Sequence, residues 1–198
     1  IYKRRGNRTI RLTVGSDGQV KVTIPVWASY QSGLGFAESR AEWIEAHTTK
    51  QKVMPLDEGQ AIGKAHRLHF VADASVSTAV ARIRGSEVIV RYSPGLALTS
   101  LVVQKKAADA VMRALKLQAK KLLKQRLDTL AMAHGYTYAS FSIKQLKSRW
   151  GSCDQDKNIV LNVYLMQLPW HLIDYVIMHE LAHTKVLRHG APFWQEMQ

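Results

Sequence analysis

Two histidines four residues apart with a glutamate between them, His179-Glu180-Leu181-Ala182-His183, constrain this chain more than any other stretch. At about 100° per residue, positions four apart on an α-helix return to nearly the same face. Both imidazoles can then meet one ion, with Glu180 beside them. The flanking sequence agrees: Pro169 suits a first helical turn, and Trp170 to about Leu187 has helical length and periodicity. Cys153 is the single cysteine, so a cysteine cage is excluded and a metal site must use His, Asp or Glu. Catalytic zinc takes three protein ligands and keeps one position open. His189 is the natural third. In an uninterrupted helix the six residues after His183 would rotate it about 120° away. The chain must therefore bend after about Leu187, and Gly190 and Pro192 are the residues expected near the bend.

Zn2+ in such a site lowers the pKa of a bound water towards 7 and polarises the group to be cleaved. Glu180 is then placed to act as general base, taking the water's proton and passing it to the leaving group. Arg149, Asn162, Tyr164 and Tyr175 are candidates for contacting the substrate or the charge of the transition state, since each is polar and near the motif. Tyr175 lies four residues before His179 and shares its face. Trp150, Phe193 and Trp194 read as packing around the site, and Cys153 as a small buried residue. Gly33-Leu34-Gly35 suggests a phosphate loop, but the third glycine position holds Glu38, whose charge would repel a phosphate.

The rest of the pattern is α+β. Ile10, Leu12 and Val14 alternate with polar residues, as do Val20, Val22 and Ile24, and Gly15-Ser16-Asp17-Gly18 between them predicts a hairpin. A short helix is expected from about Glu38 to Thr48, then strands near 60 to 72, 77 to 84 and 87 to 92. From about 99 to 133 an apolar stripe of Val111, Leu115, Leu122, Leu127 and Leu130 predicts a long helix stopped by Gly135. Its other face carries Lys106, Arg113, Lys116, Lys120 and Lys124. A strand is expected over Tyr136 to Ile143, and a second hairpin joining Lys147 to Ser152 with Ile159 to Leu165. Residues 1–98 thus read as a β-rich platform with a short helix. Residues 99–198 read as a catalytic region of long helix, β-hairpin and HExxH helix. In such sites a strand edge beside the metal can bind an extended peptide, and Ile159 to Leu165 is the strand expected to do so.

Arg149-Trp150-Gly151-Ser152-Cys153, then Ile159-Val160-Leu161-Asn162, then the run from Ile173 through His183, then His189 and Phe193-Trp194, together resemble the YgjP-like metallopeptidase family. Its members are zincins, similar in their core to the SprT-type proteases. The resemblance spans nearly the whole chain, since the family also begins with an Arg-rich hairpin, here Arg8 to Ile24, and a helix holding Glu42 to Ile44. It implies zinc at His179, His183 and His189, Glu180 as base, and a peptide or protein substrate.

Net charge is +13, and it is uneven. Residues 150–198 hold three Lys and Arg against five Asp and Glu, while the first 149 residues carry the other 25 and 10. Such a field favours polyanionic partners such as nucleic acid or a nucleotide, or else only a solvated surface. Beside the peptidase, of which a DNA-associated protease is a variant, two readings therefore stay open: a zinc-dependent hydrolase of nucleotide phosphoanhydrides, and a nucleic-acid-binding module with structural zinc. A strand edge flanking the cleft favours peptide, and Arg and Lys converging within it favour phosphate. No apolar run reaches the roughly 18 to 20 residues of a membrane span, and no apolar leader precedes the first strand, so the expected address is cytoplasmic.

Overall fold

The computed structural model describes residues 1–15, 19–49 and 54–197, without the side chains of 47–49. Ser16, Asp17 and Gly18 of the expected first turn lie outside the described residues. The architecture is α+β, in two compact units, Ile1–Met54 and Pro55–Gln198.

In the first unit β1 (Tyr2–Lys3), β2 (Arg11–Val14) and β3 (Val20–Ile24) form a sheet in the order β1-β3-β2. Leu12 faces Val22 across the antiparallel pair, and Val22, Ile24 and Ala28 make a small core. Helix α1 (Tyr30–Glu38) precedes α2 (Ala41–Thr49). The sequence pattern predicts one helix here, from about residue 38, because the glycines of 33–35 weigh against helix. Two local features override that. The Ser29 hydroxyl caps α1 by accepting from the Ser32 amide at 3.0 Å. Gly33 is buried against Ile24, whose Cγ2 would stand 3.0 Å from any added Cβ.

The second unit is built around α3 (Leu101–Ala133), whose apolar face is buried along its whole length. Leu123, rather than the expected Leu122, is fully buried, with Val103, Ala107, Leu115, Leu127 and Ala131. One side of α3 packs against a four-stranded sheet, β4 (Ala61–Ile62), β5 (His66–Ala72), β6 (Ala79–Arg84) and β7 (Glu87–Tyr92), ordered β4-β5-β7-β6. The run near 60 to 72 is thus two strands. Gly63, at φ +63°, turns between them, and the buried Gln118 amide of α3 accepts from the Lys64 and Ala65 amides and donates to the Ile62 carbonyl.

The other side of α3 meets a second sheet, β8 (Ser140–Lys144), β9 (Gly151–Cys153) and β10 (Asn158–Asn162), and helix α4 (Trp170–Ala182). Its order is β8-β10-β9. The expectation that Ile159 to Leu165 forms an open edge is overturned: β10 is the central strand, parallel to β8 and antiparallel to β9. It also ends at Asn162, because Val163–Gln167 coil into a 3-10 turn capped by the Asn162 side chain. The edge nearest α4 is β9. Arg126 of α3 grips Asp174 of α4 with two parallel bonds of 2.6 and 2.7 Å, which fixes the helix that carries the HExxH motif. A last helix, α5 (Ala191–Glu196), follows. No helix of the described residues is long and apolar enough to cross a membrane.

Candidate metal centre

Helix α4 holds His179 and Glu180 in its last turn and is closed by His183. The bend comes about four residues earlier than Leu187: the amides of Thr184, Lys185 and Val186 turn back onto the carbonyls of Leu181 and Ala182, and the buried Thr184 hydroxyl donates to the Leu181 carbonyl at 2.7 Å. Gly190 and Pro192 serve the next element instead. Gly190 precedes α5 in extended conformation and Pro192 sits in its first turn, where a missing amide proton costs nothing.

This path brings His189 back to the motif. Its Nε2 lies 3.0 Å from His179 Nε2 and 3.2 Å from His183 Nε2. Four nitrogens or oxygens bound tetrahedrally at 2.0 to 2.1 Å stand about 3.3 Å apart, so the spacing fits a small divalent ion. The ring charges fit as well. Burial first, and the neighbouring histidines after it, push His179 below its ordinary pKa, and burial does the same for His183. The His183 Nδ1–H can donate to the Val186 carbonyl at 3.0 Å, which leaves the Nε2 lone pair facing the other two rings. Lone pairs gathered this closely repel unless a cation lies among them. Phe193 of α5, fully buried, floors the cluster, its ring centroid 4.9, 4.5 and 4.7 Å from those of His179, His183 and His189.

Glu180 is buried beside this cluster, and its Oε2 has no hydrogen-bond partner. Burial pushes its carboxyl up to about 7, against a smaller opposing pull from Arg149. Its other oxygen lies under β9, where a Cβ built on Gly151 would stand 2.6 Å from Oε1. An orphaned buried carboxylate oxygen beside three convergent imidazoles is an arrangement that a metal and a water would complete.

The four candidate contact residues separate. Asn162 is committed to structure: its amide donates to the Leu146 and Arg149 carbonyls, both at 2.9 Å, and its oxygen accepts from the Tyr164 amide. The Tyr164 hydroxyl accepts from Gln145 at 2.9 Å, and its ring packs against the core. Tyr175 is exposed, its ring 6.3 Å from that of His179, and Arg149 is near enough to act on Glu180. Trp150 and Trp194, expected as packing, are 45% and 48% exposed at the rim. Three features carry no sequence signal of their own: the cradle at Gly151, the Val186 carbonyl, and a tie from Tyr136 to α5. The Tyr136 hydroxyl donates to the Glu196 carboxylate at 2.9 Å, which Lys185 also meets at 3.0 Å.

A family model described as YgjP-like, metallopeptidase domain, matches residues 8–198. The chain belongs to that family. Two solved structures are similar to a part of this chain, the metallopeptidase zymogens abylysin of Pyrococcus abyssi and jannalysin of Methanocaldococcus jannaschii. They are 25% and 26% identical over 38% of this chain and 75% and 77% of theirs, each with a TM-score of 0.35. No curated protein matches the chain in a sequence comparison. The expected YgjP-like membership thus holds, and with it the metallopeptidase class.

Proposed function

We propose that this YgjP-like domain is a zinc peptidase in which His179, His183 and His189 hold the ion and Glu180 moves the proton. The observation that carries the reading is the gathering of three Nε2 atoms, at 3.0 and 3.2 Å in the two closest pairs, beside a buried carboxylate. Zinc held there supplies Lewis acidity, lowering the pKa of water and polarising the scissile carbonyl.

The chain's own groups do the rest. On either side of β9 the Asp154 amide donates to the Asn158 carbonyl and the Trp150 carbonyl accepts from the Asn162 amide. Antiparallel pairing alternates, so Gly151 and Cys153 turn their backbone groups away from β10. That row can pair with an extended substrate, holding a peptide bond over the carboxylate. Glu180 takes a proton from the attacking water and delivers it to the departing amine nitrogen. Burial raises its affinity for that proton, and a cation beside it lowers it, which keeps both forms accessible. Tyr175, whose ring is 6.3 Å from that of His179, and Arg149, which pulls on Glu180, are the groups proposed to steady the negative charge that develops on the substrate carbonyl oxygen.

Arg149 pulls on Glu180, and a guanidinium beside an open strand edge suits a peptide better than a polyphosphate, which calls for several cations around it. The test is hydrolysis of unfolded protein by zinc-quantified protein beside Glu180→Gln. The variant is expected to keep its zinc and lose turnover by at least 10²-fold. Full activity in a zinc-loaded Glu180→Gln protein, or release of phosphate from nucleoside triphosphates with no peptide cleavage, overturns the proposal.

A further inference from the structure

The sheet that carries β9 has a second edge. Among the described residues β8 pairs with β10 alone, so its far side presents backbone groups without a strand partner. Beside it lies a cavity of about 390 Å³, lined by Phe141, Ser142 and Ile143 of β8 and by Lys116, Lys120 and Lys124 of α3. From the structure we infer that this groove is a docking site for an extended acidic peptide segment, which adds to β8 and sets its carboxylates against the α3 lysines.

Three properties of the groove select that occupant. The first is charge. Lys124 is partly occupied, since Asp128 meets it at 2.6 Å and also accepts from the Tyr138 hydroxyl. Lys116 and Lys120 have no ion-pair partner among the described residues, and both are exposed. The second is spacing. Lysines four residues apart on a helix rise about 6 Å from one to the next, and alternate side chains of a strand are about 6.6 to 6.8 Å apart. A segment with Glu or Asp at every second position therefore meets successive lysines in step. The third is the opposite wall, where Phe141 and Ile143 are half-buried and offer apolar surface to the alternate side chains. A nucleic acid would use the cations and could stack a base on Phe141, but it leaves the strand edge unpaired. Lysine is also used to guard sheet edges, but guards sit on the edge strand, whereas these stand across a gap that a strand can enter.

The inference does not depend on turnover, so it is tested by binding to zinc-loaded Glu180→Gln protein. The probe is a labelled ten-residue peptide alternating Glu with Val, followed by fluorescence anisotropy, with the Lys-Val counterpart as control. Binding by the Glu-Val peptide alone is expected, weakened about tenfold by Lys116→Glu with Lys120→Glu and weakened further by salt. Lysine acetylation read by mass spectrometry should show Lys116 and Lys120 protected by the peptide in the unsubstituted surface. Three results overturn the inference: no binding of the Glu-Val peptide, equal binding by the double variant, or protection of the two lysines by a single-stranded oligonucleotide but not by the peptide. Loss of peptidase activity would leave these readouts unchanged, so the two proposals fail separately.

Discussion

Gly151 of β9 and Glu180 of α4 are in contact. A Cβ at position 151 would lie 2.6, 2.7 and 2.8 Å from Oε1, Cγ and Cδ of the glutamate. The strand edge and the carboxylate are therefore set against each other by a missing side chain.

Gly151→Ala should displace the Glu180 carboxylate, because the buried side chain is what the new methyl meets. A displacement near 1 Å costs about 10²-fold in rate for a group that must reach the reacting atoms. Zinc content should stay near that of the parent, since the three atoms nearest to the new methyl all belong to Glu180 and none to an imidazole. Ser152→Ala, on the opposite side of the strand, is the control. Undiminished kcat in Gly151→Ala would show that the contact does not govern the base.

Removing the ion should destabilise the second unit. With zinc at a hundredfold excess over its dissociation constant, mass action adds about 2.7 kcal/mol, worth about 5 to 10 °C in Tm for a chain of this size. Calorimetry with and without chelator measures it. His189→Ala should lose most of that increment, because only two imidazoles are left to hold the ion. An equal zinc-dependent rise in His189→Ala would exclude His189 as a ligand.

The helix with two histidines was legible because its period is local: a spacing of four fixes a shared face whatever surrounds it. His189 was legible as a third partner, but not the place of the bend, which depends on Thr184 satisfying the Leu181 carbonyl. The role of β10 was not readable at all. Ile159, Val160 and Leu161 form a short apolar run followed by a polar Asn162, which suits an edge or a central strand, and only pairing on both sides distinguishes them. Asn162 shows the same limit. A polar residue near the motif looks like a substrate contact until its amide is found tying down the Leu146 and Arg149 carbonyls.

Cys153 should be a slow thiol. Burial above all, then the negative charges of Glu180 and Asp154, push its pKa up to about 11. The thiolate is the reactive form, so at pH 8 the expected alkylation rate is well below that of an ordinary cysteine of pKa about 8.5, and it should keep rising beyond pH 9. Iodoacetamide labelling from pH 7 to 10 measures it. A rate that levels off near pH 8.5 would show that the strand edge is more open than the structure has it.

Tyr136 should act on the metal centre from a distance, through α5. Burial first and Glu196 second push its pKa up to about 12, so the hydroxyl remains a donor throughout the working range. Lys185, then Tyr136, hold the Glu196 carboxyl below the usual range. A lowered folded pKa means that this attachment stabilises above the unfolded glutamate value, about 4.3, and is lost as pH falls through the lower folded one. Helix α5 carries Phe193, which touches all three imidazoles, and begins two residues after His189. Tyr136→Phe keeps the ring that Lys185 covers at 4.3 Å and removes only the hydroxyl. A cost of about 1 kcal/mol in stability is expected, with zinc held a few-fold more weakly. Tyr138→Phe, which removes a hydroxyl bonded to Asp128, should cost stability without touching zinc affinity. Zinc titration against a chromophoric chelator separates the two, and equal affinities in both variants would mean that α5 holds its place without Tyr136.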